Sequence, residues 1–374
     1  MTTNKQTLLL VLPVDWFFLS HRLALALEAK REGYRVVVAA KDTGRMEEIR
    51  GYGIEGVIIN FDRSGNNPVR ELRGLYQLVR LYRTLKPDVV NHITLKVSLV
   101  GSVAARIVGV PKVVNTITGL GFHFIHNKNS WRKRGVTALL KKAFSPPDFQ
   151  YIFQNSDDLA ELKSIADLRK GQLNLIKGSG INLQKFAYHP PKESNPLMLI
   201  LPARMIREKG IEDFIEAAEI CYNQYWNRLR WLLVGALDPD NPGGYTEEEL
   251  MDREISGYLE WRGFVEDMAS LYREADIVIL PSYREGYSRT LMEAAATGRP
   301  IITTDVPGNR ELIKDEENGY LVPVQNPQQI ANRVQHLTEN PELRLRMAQN
   351  NRQYAEEHFC ENTIVRATLE VYGG

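Results

Sequence analysis

PSYREGYSRTLMEAAATGRPIITTDVPGNREL, Pro281 to Leu312, decides how this chain is read. The apolar run ADIVIL (Ala275 to Leu280) before it has the length and β-branched content of a buried strand. Pro281 stops that strand, and the Gly-containing loop SYREGY follows. Ser288 is placed to cap RTLMEAAAT, Gly298 to end it, and Pro300 to prevent its continuing. IITT is then the next strand. Strand, loop, helix, turn and strand in this order make a βαβ unit.

Two acids give the unit its chemistry. Glu285 sits in the loop and Glu293 eight positions later in the helix. Between them, the first amides of the helix, at Arg289 and Thr290, have no partner within it and offer a site for an anionic phosphate. Carboxylates flanking such a site suit the hydroxyls of a ribose and of a sugar. Spacing alone fits a capped surface helix with solvated glutamates equally well.

Length and composition bound the remaining possibilities. A chain of 374 residues exceeds one ordinary core and predicts two domains. With 43% hydrophobic and 25% charged residues it is neither disordered nor a polytopic membrane protein. A net charge of +1 argues against nucleic acid as a partner. Cys221 and Cys360 have no metal-ligand or redox spacing and are expected to be buried thiols in a reducing cytoplasm. LLLVLPV (Leu8 to Val14) is too short for a membrane span and lacks a cleavage site, so Leu8 to Leu12 is expected to be the first strand.

The first half alternates strands with helices: TLLLVLP, SHRLALALEAKREGY (Ser20 its expected N-cap), RVVVAA, GVIIN, RELRGLYQLVRLYRTLK, PDVVNHI, VSLVGSVAARIVG and KVVNTI. This implies a parallel, doubly wound sheet, in which ligands bind beyond the carboxyl ends of strands. Asp15, Ser20 and His21 fall in such a place, in DWFFLSHR. The functional reading is an acceptor subsite with rings against sugar faces; the plainer one is aromatic core beside a helix. TGLGF (Thr118 to Phe122) is another such loop, with Gly119 and Gly121 either making a tight turn or letting the backbone approach a ligand.

PPKESNP (Pro190 to Pro196) has the composition of a linker. LMLILPARMIREKGIEDFIEAA reads as strand, loop and helix, and RWLLVG (Arg230 to Gly235) as another buried strand. Arg204 and Lys209 bracket the loop, where two cations can clamp a diphosphate and stabilise its departure. DPDNPGGY is expected to be an exposed loop, its DPD (Asp238 to Asp240) a solvated turn and no metal site. Two basic stretches, RELRGLYQLVRLYRTLK, with Leu72, Leu75, Leu78, Val79 and Tyr82 at helical spacing, and WRKRGVTALLKKAF (Trp131 to Phe144), combine Lys and Arg with apolar residues. Such helices suit a core with solvated charges or an anionic bilayer surface, the latter favoured for Trp131 to Phe144.

The Glu285/Glu293 pair, the Gly298-to-Pro300 turn and the Gly308-to-Glu311 segment together resemble the signature of family 4 retaining glycosyltransferases. Similarity extends over essentially the whole chain, and DWFFLSHR with TGLG narrows it to transferases of capsule, lipopolysaccharide and glycan assembly. The resemblance implies an α/β fold of two Rossmann-like domains facing a central cleft (GT-B). The expected division is 1–190 for the acceptor, 191–355 for the nucleotide sugar, and 356–374 as a helix returning to the first domain.

It further implies that Arg204, Lys209 and Glu285 are catalytic. Gly263, Phe264, Tyr287, Ser288, Arg289, Thr290 and Glu293 would bind the donor, Gly263 and Phe264 at the nucleobase. Asp15, Ser20, His21, Thr118 and Gly119 would face the acceptor. Many members carry a histidine where Thr118 stands, and His123 is out of register with it. The expected reaction is metal-independent transfer, with retention, from a UDP-sugar, UDP-N-acetylgalactosamine first, to a polyprenyl-diphosphate-linked saccharide. The expected place is the inner face of the cytoplasmic membrane. An epimerase of NDP-sugars, needing no acceptor, is the alternative enzyme. The other alternative is a non-catalytic nucleotide-sugar-binding protein, against which Arg204, Lys209, Glu285 and Glu293 argue.

Overall fold

The computed structural model describes residues 5–60, 68–120, 131–192 and 195–373, with backbone alone at 68–71 and 131–136. Gly121, Phe122 and His123 thus lie outside the described residues, as do the side chains of Trp131 to Arg134.

Two compact units divide the chain, Met1–Gly180 with Asn362–Gly374, and Ile181–Glu361. The linker segment Pro190 to Pro196 falls within the second. In the first, seven parallel strands run β1 (Thr7–Val14), β2 (Arg35–Lys41), β3 (Glu55–Ile58), β4 (Val89–Ile93), β5 (Lys112–Ile117), β6 (Gln150–Phe153) and β7 (Leu173–Leu175). Their order across the sheet is 3-2-1-4-5-6-7. The second unit has β8 (Leu197–Pro202), β9 (Leu229–Val234), β10 (Leu259–Trp261), β11 (Ile277–Leu280), β12 (Ile301–Thr304) and β13 (Gly319–Val322), in the order 10-9-8-11-12-13. Counted from its own first strand, that is again 3-2-1-4-5-6.

The pleat explains why both faces of the first sheet are covered. Leu9 and Val11 of β1 join one cluster with Leu78 and Tyr82, whereas Leu8, Leu10 and Leu12 join another with Phe18, Leu25 and Ile49. The terminal helix Glu361–Gly373 lays Ile364, Val365, Leu369 and Tyr372 on the second of these faces. Its Tyr372 hydroxyl accepts a hydrogen bond from Asn91 Nδ2 at 2.5 Å.

Local expectations meet three corrections. Ser20 is not an N-cap: the helix begins at Asp15, and the Ser20 hydroxyl, in its last turn, donates back to the Trp16 carbonyl at 2.9 Å. Leu72 does not continue the apolar stripe of Pro68–Leu85; it is 66% exposed and Tyr76 is 67% exposed, because among the described side chains the helix turns only Leu78 and Tyr82 fully inward. Cys221 is buried but Cys360 only partly so, and both thiols are free.

Candidate active site

In the second sheet the strand order reverses between β8 and β11, which are direct neighbours. A loop leaving one and a loop leaving the other open a crevice at their carboxyl ends. Arg204 and Lys209 follow β8; Glu285 follows β11. Topology therefore places side by side residues that stand 76 positions apart in the chain.

Glycines let these loops approach one another. Gly210 has φ +71°, and a Cβ there would stand 2.1 Å from the Pro281 carbonyl oxygen. Gly308, after β12, has φ +84°, and its Cβ would stand 2.3 Å from the Gly286 carbonyl oxygen. The loop carrying Glu285 is thus held from both sides by backbone that admits no side chain.

Lys209 Nζ donates to Glu285 Oε1 at 2.5 Å, and the Ser282 hydroxyl donates to the same oxygen at 2.7 Å. The Ser282 carbonyl accepts from the Thr304 hydroxyl. The Tyr283 amide donates to the Glu208 carbonyl at 2.9 Å, so the two loops are joined through backbone as well. Ser282, which spacing did not single out, is the residue that ties the carboxylate to its own loop.

Helix Arg289–Thr297 begins at this place, with Ser288 as its N-cap accepting from the Leu291 amide at 3.4 Å. The Thr290 hydroxyl donates to the Pro202 carbonyl at 2.9 Å, which fastens the helix start to the end of β8. Ser288 caps the third amide and leaves those of Arg289 and Thr290 for an anion. Arg289 Nε donates to Glu293 Oε1 at 2.8 Å. Burial raises the Glu293 carboxyl above the usual range, with Arg289, Lys185 and the Tyr272 hydroxyl opposing it.

The other expected donor residues stand further out or inside the core. Gly263 has φ +65° and accepts from the Gly235 amide at 2.8 Å, and Phe264 beside it is largely exposed. Tyr287 is buried in the core with its ring edge-on to Phe359, centroids 5.9 Å apart, so it offers a ligand backbone rather than ring.

Asp238 corrects an expectation. It is buried and ion-paired with Arg204, whereas Pro239 and Asp240 of the same turn are exposed as expected. Backbone bonds from Arg207 to Gly243 at 2.8 Å and from Tyr245 to Met205 at 3.0 Å lay its loop along the one after β8. Nothing local in DPDNPGGY announces this; the partner strand decides it.

In the first unit, β1 and β4 flank the corresponding reversal. Asp15 follows β1 directly, but its carboxylate faces inward. It accepts from the amides of Trp16, Thr43 and Arg45 at 2.7, 2.8 and 2.9 Å and from the Thr43 hydroxyl. Burial by itself would raise this carboxyl; the four hydrogen bonds outweigh it and hold the group below its usual range. Asp15 therefore pins the β2 loop to the helix start. Ser20 is exposed, 2.6 Å from His21 Nδ1, and the His21 ring stacks on Phe17 at 4.3 Å. Thr118 and Gly119, half-buried, follow β5, one strand further along, with Gly119 at φ +150°. Thr94, in the loop after β4, has φ +86°, a strained value for a β-branched residue.

Two family models match this chain, "Glycosyl transferase 4-like" over residues 7–155 and "Glycosyl transferases group 1" over residues 184–354. The chain belongs to the family 4-like, group 1 glycosyltransferases. The enzyme is 27% identical to N,N'-diacetylbacillosaminyl-diphospho-undecaprenol alpha-1,3-N-acetylgalactosaminyltransferase of Campylobacter jejuni, over 95% of this chain and 97% of that one. It is 26% identical to the capsular polysaccharide biosynthesis glycosyltransferase CapM of Staphylococcus aureus, over 81% of this chain and 80% of the relative. Among solved structures, HepE from Anabaena in complex with UDP superposes with a TM-score of 0.77 at 18% identity, covering 98% and 99% of the two chains. The architecture of two parallel-sheet α/β units is that of the GT-B glycosyltransferases, and the enzyme is a glycosyltransferase of polysaccharide or glycan biosynthesis.

Proposed function

We propose that this glycosyltransferase moves a hexose or N-acetylhexosamine, with N-acetylgalactosamine as first candidate, from a UDP-sugar to a polyprenyl-diphosphate-linked saccharide. The observation that carries the reading is Lys209 and Glu285 joined at the strand reversal of the second sheet, beside the free amides of Arg289 and Thr290. The Campylobacter relative, named for N-acetylgalactosamine transfer to an undecaprenol-linked sugar, supports the choice of donor and acceptor.

In this proposal Arg204, Lys209 and the two amides take up negative charge as the C1–oxygen bond to the diphosphate breaks. Their positive charge and dipoles fill the role a divalent cation would have, so transfer proceeds without metal. Glu293 binds the ribose hydroxyls and Glu285 a hydroxyl of the donor sugar. The acceptor oxygen forms the new bond to C1 on the face the diphosphate vacates, and its proton passes to the leaving diphosphate. Configuration is thereby retained.

The acceptor brings the enzyme to a membrane, and we place it at the inner face of the cytoplasmic membrane. No described helix is long and apolar enough to cross a bilayer. Leu72 and Tyr76 stand exposed on Pro68–Leu85 alongside exposed Arg73, Arg80 and Arg83, an arrangement that suits an anionic surface. On Trp131–Ala143, Leu139, Lys141 and Lys142 are exposed as well.

The test is release of UDP from a panel of UDP-sugars, with and without a polyprenyl-diphosphate-linked N-acetylhexosamine, with EDTA present and the product anomer read by NMR. Acceptor-dependent release with one donor and a retained anomer is expected. Interconversion of the donor sugar without acceptor, or an inverted product, refutes the proposal.

A further inference from the structure

We propose that Asp238 is a positioning residue for Arg204, presetting its guanidinium for the donor diphosphate. This rests on the diphosphate role proposed for Arg204 above.

The turn that holds Asp238 is built, not loose. The Met205 amide donates to the Ala236 carbonyl at 3.0 Å, and Ile206 pairs antiparallel with Gly244. Inside the turn, the Asn241 amide donates to the Asp238 carbonyl and the Gly244 amide to the Asn241 carbonyl, each at 2.9 Å. A Cβ on Gly244 would stand 2.5 Å from the Asp238 carbonyl oxygen, so the turn closes onto Asp238 with no space to spare. Further along, Arg207 lies over the Tyr245 ring at 4.7 Å and pairs with Glu249 at 2.9 Å.

The Asp238 carboxylate, 10% exposed, therefore has a set position, and it grips NH1 of Arg204, whose side chain is 39% exposed. An arginine that open would otherwise spread over many rotamers, which a ligand must arrest on binding. A planar guanidinium held at one nitrogen still presents Nε and the other terminal nitrogen in fixed geometry, which suits bidentate phosphate contacts. Asp238 exchanges some net positive charge at the site for this preorganisation.

That exchange makes the sign of the effect decisive. Neutralising Asp238 removes a negative charge near the diphosphate, so simple electrostatics predicts tighter UDP binding by Asp238→Asn. Positioning predicts the reverse. UDP affinity is measured by calorimetry for the full-length enzyme, D238N, R204A, the double variant and E249Q. Loss of one ordered rotamer and one charge-assisted bond predicts UDP binding weakened about tenfold in D238N. The double variant is expected to bind no more weakly than R204A, because Asp238 acts through Arg204. E249Q, which loosens the far anchor of the same loop and leaves Asp238 in place, is expected to bind as the parent does.

Unchanged or tighter binding by D238N overturns the inference, as does a double variant weakened by the product of the two single effects. E249Q weakened as much as D238N would also overturn it, since general loop integrity would then be responsible. If R204A binds UDP normally, the diphosphate role of Arg204 fails first and the inference falls with it.

Discussion

Lys209 and Glu285 hold each other in place as well as facing a ligand, and the two roles can be separated. The side chains are 22% and 11% exposed, and 2.5 Å separates the charged atoms. Lys209→Met leaves Glu285 as a nearly buried carboxylate with the Ser282 hydroxyl still donating to it. Breaking a fully buried pair from one side costs about 3–5 kcal/mol; partial exposure of Lys209 and the retained hydroxyl reduce this to about 1–3 kcal/mol. Glu285→Gln leaves the ammonium without its counter-charge, but the longer lysine can turn to water, so its cost lies at the lower end of that range. The double variant has no orphaned charge, and it is expected to cost about 1–2 kcal/mol less than the sum of the singles. Urea unfolding followed by hydrogen exchange of peptides from Leu197–Pro202 and Ile277–Leu280 measures the second unit directly. Transfer, assayed as UDP release, is expected to be lost in all three variants. Stability regained without activity would show the pair serving both fold and chemistry. Single costs below about 0.5 kcal/mol that simply add would refute the coupling, and an active E285Q enzyme would refute the role of Glu285.

Three further outcomes are expected. Burial raises the Asp213 carboxyl to about 6, against hydrogen bonds from Tyr283 and the Gln325 backbone. Its favourable contribution is therefore present below the unfolded value near 4 and lost as pH rises through about 6, so D213N is expected to stabilise the second unit at pH 7.5 by up to about 3 kcal/mol. A difference from the parent that does not shrink towards pH 4 refutes this. His92 runs the other way: burial lowers it to about 4, with Asn115 Oδ1 2.9 Å from its Nδ1. The stability it lends the first unit is full above pH 6.5 and lost as pH falls towards 4, about 3 kcal/mol in all, and H92Q is expected to abolish that slope in acid urea titrations. Finally, Gly308→Ala puts a Cβ 2.3 Å from the Gly286 carbonyl oxygen at φ +84°. It is expected to cost about 2 kcal/mol or more and to lower kcat by displacing Glu285, whereas normal kcat with normal stability would show that the loop adapts freely.

Much of the fold was legible because its signals are local. The apolar runs that became β1, β2, β4, β5, β8, β9, β11 and β12 are bounded by proline, glycine or polar turns, and both faces of each sheet are covered, so those runs need not alternate. The Ser288 cap and the left-handed Gly298 at φ +73° depend only on near neighbours and were read correctly. The strands β6, β7 and β10 were not read; they have three or four residues each, and pairing with an adjacent strand, not their own periodicity, makes them strands. Ser20 and Leu72 misled for a related reason. A hydroxyl can bond back within a helix as easily as cap one, and helical spacing does not say which way an apolar residue at the edge of the stripe will face.

By itself the amino-acid order determined which residues carry charge, which segments turn, and that strands and helices alternate, hence two parallel sheets and a phosphate-ready helix start after β11. It also named Lys209 and Glu285 separately. Only the tertiary structure decided that they meet, because the neighbour of β8 is a strand three places later in the chain. The same long-range packing turned Asp15 inward to four hydrogen bonds and brought Asp238 onto Arg204. A carboxylate in a sequence has a charge and a reach. Whether it faces solvent, a ligand or a buried partner is set by which loop the fold lays against it.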